Sequence, residues 1–185
     1  GSGISSIDLA KIEETIKKEC IFSKEEFDEK WGKFKYKGDH YKSYTDEDIF
    51  WILVRVIFFA GFKAKTVTEK LPYINKYFGD YKIAKNYSEN DVVLILRDPN
   101  IIRNRRKIGA CINNAKRFYN IIQEFGSFIK YLESFGDIHQ PSSIDDIRND
   151  LLKFEYLSDI TTRHFMMDLG LNVMKPDRVV CRILF

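Results

Sequence analysis

The chain has 185 residues, which is enough for one domain with its own hydrophobic core, and we take residues 1–185 as a single domain. Hydrophobic residues make up 44% and charged residues 31%, while four prolines and ten glycines are too few for a loop-rich all-β protein. The net charge of +3 is too small to identify a nucleic-acid partner, so evidence for one must come from local clusters of basic residues.

The first predicted elements are helices. Ile7–Cys20 carries apolar residues at helical spacing, and residues 22–44 form an aromatic and basic stretch. Thr45 is predicted to be an N-cap because three acidic residues follow it, in the turn where the helix dipole favours negative charge. The helix Ile49–Ala60 is apolar nearly all round, which predicts burial, and Gly61 is predicted to end it.

Four more helices follow along the chain. One is predicted at Lys65–Tyr77, with Pro72 kinking or splitting it. A serine cap predicts a short helix at Asp91–Arg97. The most regular apolar spacing predicts a long helix at Arg106–Glu124, and another helix is predicted at Ser127–Phe135.

The last third of the chain is also predicted to be helical. Ser143 is the predicted cap of a helix at Ile144–Lys153. Ser158 or Asp159 is predicted to cap a further helix, which ends at Gly170. No segment shows the alternation of a strand, so the predicted fold class is all-α.

The cysteine spacing argues against a disulfide-linked or zinc-binding protein, and the apolar runs argue against a membrane-spanning one. Cys20, Cys111 and Cys181 are odd in number and widely spaced, and no Cys or His pair has zinc-ligand spacing, so we predict reduced thiols, no metal and no cofactor. The longest apolar run, Ile52–Ala60, is too short to cross a membrane. We expect a cytoplasmic protein.

The segment from Asn100 to Lys116 carries a specific motif. Ile101-Ile102-Arg103-Asn104-Arg105, then Lys107-Ile108 and Asn114-Ala115, resembles the IIRNR-x-KI-x(5)-NA signature of DNA-3-methyladenine glycosylase I. Ala60-Gly61-Phe62 resembles the QAGLSW segment of that family, and residues 124–128 and 165–171 follow its order. The resemblance covers residues 45–171.

The resemblance implies a fold and an activity. The fold would be all-α, with two helical lobes and a helix-hairpin-helix near Ile144–Gly170 around a DNA-binding cleft. The activity would be hydrolytic removal of an alkylated purine, 3-methyladenine first, from double-stranded DNA. The partner would then be damaged DNA, bound by a monomer at the nucleoid.

The tail resembles the wider superfamily. Residues 175–182 are similar to the Pro-Val-Asp-x-His-Val-x-Arg pattern of helix-hairpin-helix glycosylases, in which the Asp is catalytic, so the resemblance implies that Asp177 is the catalyst. Pro176 is predicted to lie in the first turn of the last helix. We interpret residues 1–3 as a tag remnant, and the apolar pattern at Phe185 predicts that the natural chain continues.

Removing a base also requires a wedge, a pocket and contacts to the DNA backbone. By resemblance Phe62 is the wedge. Aromatic residues that suit a cationic purine form the predicted base pocket: Tyr41, Tyr44, Trp51, Phe58 and Phe59. Hydroxyl and basic residues near helix starts are the predicted backbone contacts: Arg103, Arg105, Lys107, Thr161, Thr162 and Arg163. Each assignment has a structural alternative: packing between helices for Arg103, Arg105 and Lys107, and helix capping for Thr161, Thr162 and Arg163. Phe62 could instead pack inward, and the aromatic residues could belong to the core.

Three departures from the family keep other functions open. Val56 stands where the family has a base-reading Glu, Ala64 stands where it has a Trp, and its zinc ligands are not matched. No lysine occupies the nucleophile position of strand-cleaving relatives, so we predict a monofunctional hydrolase. The alternatives are a DNA-binding relative without catalysis, a glycosylase for another damaged base, and a helical protein-interaction module.

Overall fold

The computed structural model describes residues 40–171. Within this range the chain is all helical, as predicted, with no strand and one short 3-10 helix at His40–Ser43. The α-helices are α1 (Asp46–Phe59), α2 (Ala64–Phe78), α3 (Tyr81–Ala84), α4 (Glu89–Arg97), α5 (Arg105–Phe125), α6 (Phe128–Glu133), α7 (Pro141–Leu151) and α8 (Asp159–Asp168). The predicted helices at Ile7–Cys20 and from Pro176 lie outside the described residues. None of the described helices combines the length and apolar content needed to cross a bilayer.

The start of α1 follows the sequence prediction. The Thr45 side chain accepts a hydrogen bond from the Asp48 backbone N–H at 3.1 Å, and the Asp48 carboxylate accepts one from the Thr45 N–H at 3.0 Å. This reciprocal capping box satisfies two backbone donors that a helix start leaves unpaired. At the other end Gly61 has a φ of +76°, a conformation that glycine adopts without a Cβ clash.

Of the two outcomes predicted at Pro72, a kink or a split, the split does not occur in α2. The helix runs unbroken from Ala64 to Phe78 with Pro72 inside it. Proline removes one hydrogen bond, to the carbonyl of Thr68 four residues earlier. Val67 and Ile74, on either side of that break, are fully buried, and their packing holds both halves in one helix.

Two further elements also differ. The four-residue helix α3 was not predicted, because it is too short to show an apolar period; Asp80 caps it by accepting from the Lys82 N–H at 2.8 Å. The predicted role of Ser143 as the cap of α7 is wrong. Ser143 lies buried inside the first turn of this helix. The helix starts earlier because Pro141, with its φ already restricted, suits a first helical position.

The centre of the core is a group of aromatic rings from four helices. The Phe118 ring of α5 stacks on Phe128 of α6, with centroids 4.6 Å apart and planes within 12°. Phe50 of α1 and Tyr81 of α3 approach the Phe118 ring with centroids at 5.5 and 5.1 Å. These contacts fix α1 against α5, the two helices from which the candidate site is built.

Candidate active site

The predicted wedge residue lies on a short turn after α1, which we call the wedge segment (residues 60–62). The Ala60 N–H donates to Val56 O at 3.2 Å and the Phe62 N–H to Phe59 O at 3.2 Å, so the turn continues directly from the helix end. Phe62 is 39% exposed, whereas most phenylalanines of the described chain are buried. Its ring is therefore accessible to a partner.

Lys107 lies in the core, beneath the wedge segment. The residue is 1% exposed, and its Nζ donates to the carbonyl oxygens of Phe58, at 2.9 Å, and of Ala60. The predicted contact of Lys107 with a DNA phosphate is therefore wrong, and the alternative, packing between helices, is correct. The physical reason is that the last carbonyls of α1 have no partner within the helix and carry its negative dipole end, which a buried cation satisfies.

Burial also changes the acid–base behaviour of this amine. Loss of hydration lowers the pKa of Lys107 to about 8, since a charged group is less stable away from water. In the unfolded chain the pKa is about 10.4. At a pH between these two pKa values, Lys107 binds fewer protons in the folded protein than in the unfolded chain. Stability rises with pH in any range where the unfolded chain binds more protons.

We therefore expect the contribution of Lys107 to stability to increase as pH rises. The difference in unfolding free energy between the wild type and Lys107→Met, which cannot titrate, should move in favour of the wild type by about 1–2 kcal/mol from pH 7.5 to 9.5. Urea unfolding of both proteins at the two pH values measures it. A difference that is constant with pH, or that moves the other way, would contradict the lowered pKa.

Two of the five predicted pocket residues lie in the core. Tyr41 is 1% and Phe58 0% exposed, and the Phe58 ring packs against Phe78 of α2 with centroids 6.2 Å apart. A bound base would reach neither ring without rearrangement of the core. The cause is the sequence period: Phe58 follows Val54 by four residues on the fully buried face of α1.

The other three pocket candidates are partly buried. Trp51 and Phe59 lie on one face of α1, with Arg55 between them, and the Arg55 guanidinium carbon is 5.9 Å from the Trp51 ring centroid. Tyr44 precedes the α1 cap and donates to the Asp168 carbonyl of α8 at 3.5 Å. Of the predicted pocket residues, Trp51, Phe59 and Tyr44 are thus the three that are not closed off inside the core.

The predicted backbone contacts near α8 behave differently from one another. The Thr161 hydroxyl donates to Tyr156 O at 2.9 Å and accepts from the Ser158 N–H at 2.7 Å, so it holds the turn before α8. Thr162 is fully buried, so its predicted contact with a phosphate is wrong: it precedes Phe165 and Met166 by three and four residues, on the buried face of α8. Arg163 is partly exposed.

The arginines of the signature lie on the surface. Arg103 is exposed and its Nε donates to the Asp98 carbonyl at 3.5 Å. Arg105 is exposed and forms an ion pair with Glu89 of α4. Arg106 lies over the Tyr156 ring, with its guanidinium carbon 5.6 Å from the centroid. All three are exposed, and Arg105 and Arg106 lie beside the turn before α8, where they line a cavity with Tyr156.

Helices α7 and α8 are joined by a turn, which we call the hairpin turn (residues 152–158). Asn114 of α5 holds it: its Nδ2 donates to Glu155 O at 2.9 Å, and the Glu155 N–H donates to its Oδ1 at 2.8 Å. Tyr156 has a φ of +69°, in the left-handed region. A cavity of about 420 Å³ between α5 and this turn is lined by Arg105, Arg106 and Tyr156 among others.

The described cysteine offers no reactive site. Cys111 is buried, and burial raises the pKa of its thiol, so the nucleophilic thiolate is disfavoured. Within residues 40–171 no three His, Cys, Asp or Glu side chains are grouped to hold a metal ion. Cys20, Cys181 and the predicted catalyst Asp177 lie outside the described residues.

Sequence reasoning assigned no structural role to Asn114, and it missed Tyr156. For Asn114 a signal was available, since Lys107, Cys111, Asn114 and Phe118 recur at helical spacing and all four are buried. A lysine and an asparagine on an apolar stripe predict internal hydrogen bonding, because burial without a partner is costly. No pattern in the neighbouring sequence marks Tyr156, which stands in a turn conformation where glycine is the usual residue.

Comparison with solved structures shows the same fold in known enzymes. The structure of 3-methyladenine DNA glycosylase I from Staphylococcus aureus, solved to explain its recognition of 3-methyladenine, matches with a TM-score of 0.60 and 23% identity over 69% of this chain and 78% of that one. A structure of 3-methyladenine DNA glycosylase I matches with a TM-score of 0.61 and 24% identity over 74% and 82%. A variant of such an enzyme in complex with 3-methyladenine matches at 0.61 and 22%, over 74% and 84%.

The family comparison agrees with the signature in α5. A profile described as methyladenine glycosylase matches residues 18–170, which is most of the chain. It confirms the predicted relationship and the predicted class of enzyme, a DNA glycosylase of the methyladenine type. The chain therefore belongs to the methyladenine glycosylase family.

Proposed function

We propose that the protein removes 3-methyladenine from double-stranded DNA by hydrolysing the N-glycosidic bond, without cutting the strand. The observation that carries this proposal is the family match over residues 18–170, in a chain whose wedge residue is exposed on a fixed turn. The proposed partner is damaged duplex DNA, bound by one copy of the chain at the nucleoid in the cytoplasm.

The wedge would act when the damaged nucleotide leaves the stack. Swinging a base out costs a few kcal/mol, and an apolar side chain inserted into the gap recovers part of that cost. Phe62 suits this role because its ring is 39% exposed while its backbone is tied to the end of α1. A wedge on a rigid element enters the stack in a defined position.

Recognition of the base would rest on aromatic faces. Alkylated adenine carries positive charge, and Trp51, Phe59 and Tyr44 offer rings that attract a cation. Val56 is 2% exposed, so the place of the family's base-reading Glu is filled by an apolar core residue. Specificity would therefore come from ring stacking and charge, with less hydrogen bonding to the base edge.

The DNA backbone would be held beside the hairpin turn. The first amides of α8 point out of a helix start, where phosphate binds readily, and Arg163 lies one turn further along the helix. Arg105 would add charge on the α5 side of this turn by exchanging Glu89 for a phosphate, and Arg103, just before α5, would add a further contact. These contacts position the duplex and carry no sequence preference.

Bond cleavage would be assisted by Asp177, the acid that the tail motif supplies. As the bond breaks, positive charge develops on the deoxyribose, and a nearby carboxylate stabilises it and orients water. The methylated base already carries positive charge, so it departs without a strong general acid. A carboxylate that acts only through its charge and by orienting water is therefore sufficient to assist cleavage of this bond.

We expect Asp177→Asn to lower the single-turnover rate of 3-methyladenine release at least tenfold, roughly 1.4 kcal/mol or more in the barrier. The measurement is base release from randomly methylated DNA, analysed by chromatography, for the wild type and the variant. Glu69→Gln, which changes an exposed acid on α2, is the matched control and should retain the wild-type rate. Equal release by all three proteins would remove Asp177 from the mechanism.

A second candidate is a relative that binds damaged DNA without excising the base, which the apolar Val56 favours. The same assay separates the two. Salt-dependent DNA binding with no base released from any alkylated or deaminated duplex supports the binding protein and refutes the enzyme. Release of a base other than 3-methyladenine would keep the chemistry and correct the substrate.

A further inference from the structure

One buried cation lies between the two segments that the proposed function places on DNA. Lys107 of α5 donates from Nζ to Phe58 O, at 2.9 Å, and to Ala60 O. No ion pair among the described residues includes it. The cation therefore serves the protein's own backbone, and its partners are the carbonyls that lead into the wedge segment.

The same amine also contacts the wedge ring. Nζ is 4.3 Å from the centroid of Phe62, a distance typical of cation–π attraction. Gly61, which has a φ of +76°, links the two anchored points. Lys107 thus holds both the backbone that leads to the wedge and the ring itself.

On its other side the amine faces the hairpin turn. Nζ is 5.6 Å from the centroid of Tyr156, again within reach of cation–π attraction. Tyr156 has a left-handed φ of +69°, which costs of order 1 kcal/mol or more for a residue with a Cβ and persists only where the surroundings enforce it. Thr161 fixes its carbonyl by donating to it at 2.9 Å.

We propose that Lys107 is a positioning residue that sets the separation between the wedge segment and the hairpin turn, so that both engage one stretch of duplex DNA. This inference rests on the proposed function. The wedge enters the base stack and the turn holds the backbone, so a change in their separation misplaces the reacting bond. Misplacement of about 1 Å in a positioned reaction costs up to about 100-fold in rate.

The test compares local mobility and activity in the full-length protein. Lys107→Met keeps the length of the side chain and removes its charge and donors, and Lys116→Met is the control on the exposed face of α5. We expect Lys107→Met to raise amide exchange at least about tenfold in residues 60–62 and 154–157 together, with no change in α4. Its single-turnover base release should fall about tenfold or more, and by a larger factor than its affinity for unmodified duplex falls.

The outcomes separate a positioning role from a general one. Faster exchange throughout the chain, in one segment alone, or in neither would overturn the proposal. Tyr156→Asn serves if Lys107→Met does not fold, since it removes the partly exposed ring alone; we expect faster exchange at residues 60–62, and no change there overturns the proposal. A wild type that releases no base refutes the proposed function, and the exchange comparison still decides whether Lys107 couples the segments.

Discussion

Replacement of Phe118 by alanine should lower the free energy of unfolding by about 3–5 kcal/mol, because a fully buried ring is exchanged for a cavity. The Phe118 ring stacks on Phe128 at 4.6 Å and meets the rings of Phe50 and Tyr81 edge-on or tilted. Those partners come from three other helices, so the surroundings cannot collapse into the gap without moving α1 against α5. Urea unfolding followed by circular dichroism measures the change.

Tyr119→Ala, one residue further along α5, is the matched control. Its ring is partly buried at the surface and lies beneath the Lys85 amine at 4.4 Å, so its removal leaves no closed cavity. We expect a loss of no more than about 2 kcal/mol. Equal losses for the two variants would mean that the aromatic group is not the centre of the core.

The features that the sequence predicted best depend on neighbours in the chain. The caps at Thr45 and Ser158 are satisfied by residues three positions later, so their signals are complete within one helical turn. The burial of α1 follows from an apolar pattern contained in the helix itself. Interactions between residues close together in the chain were sufficient to predict these elements.

The features that it missed depend on partners far along the chain. Lys107 donates to carbonyls that lie 47 and 49 residues away in the sequence. No pattern around Lys107 itself predicts those two partners. A lysine among arginines indicated phosphate binding, whereas the helical period placed it on the inward face. Phe58 shows the same conflict, because an aromatic residue suits a base pocket by type and the core by position.

The candidate site was predictable in outline and not in detail. The signature gave the family, and it also gave the two residues that organise the loops, Lys107 and Asn114, although their roles became clear only from their contacts. In a sequence, a lysine that donates hydrogen bonds inside the protein looks the same as a lysine that contacts DNA. Burial distinguishes them, and burial is set by packing between helices.

Removal of the Asn114 side chain should also cause a large loss of stability. Asn114→Ala deletes the Nδ2–H donor to Glu155 O and the Oδ1 acceptor of the Glu155 N–H, at 2.9 and 2.8 Å. Each hydrogen bond contributes about 1 kcal/mol, and leaving the turn's backbone groups without partners adds to this, so we expect a loss of about 2–4 kcal/mol in unfolding free energy. Under the proposed function, affinity for duplex DNA should fall as well, because the freed turn no longer presents α8.

Asn113→Ala provides the closest comparison that the chain offers. Asn113 is the adjacent residue, has the same side chain and also bonds Glu155, but to its exposed carboxylate, at 2.9 Å, and from the solvent side of α5. An exposed side-chain pair of this kind is worth less than about 1 kcal/mol, since water replaces either partner. Unfolding in urea and fluorescence anisotropy with a labelled duplex should therefore separate the two asparagines in both readouts. If Asn114→Ala is no worse than Asn113→Ala in stability, the backbone of the hairpin turn is held by something other than α5.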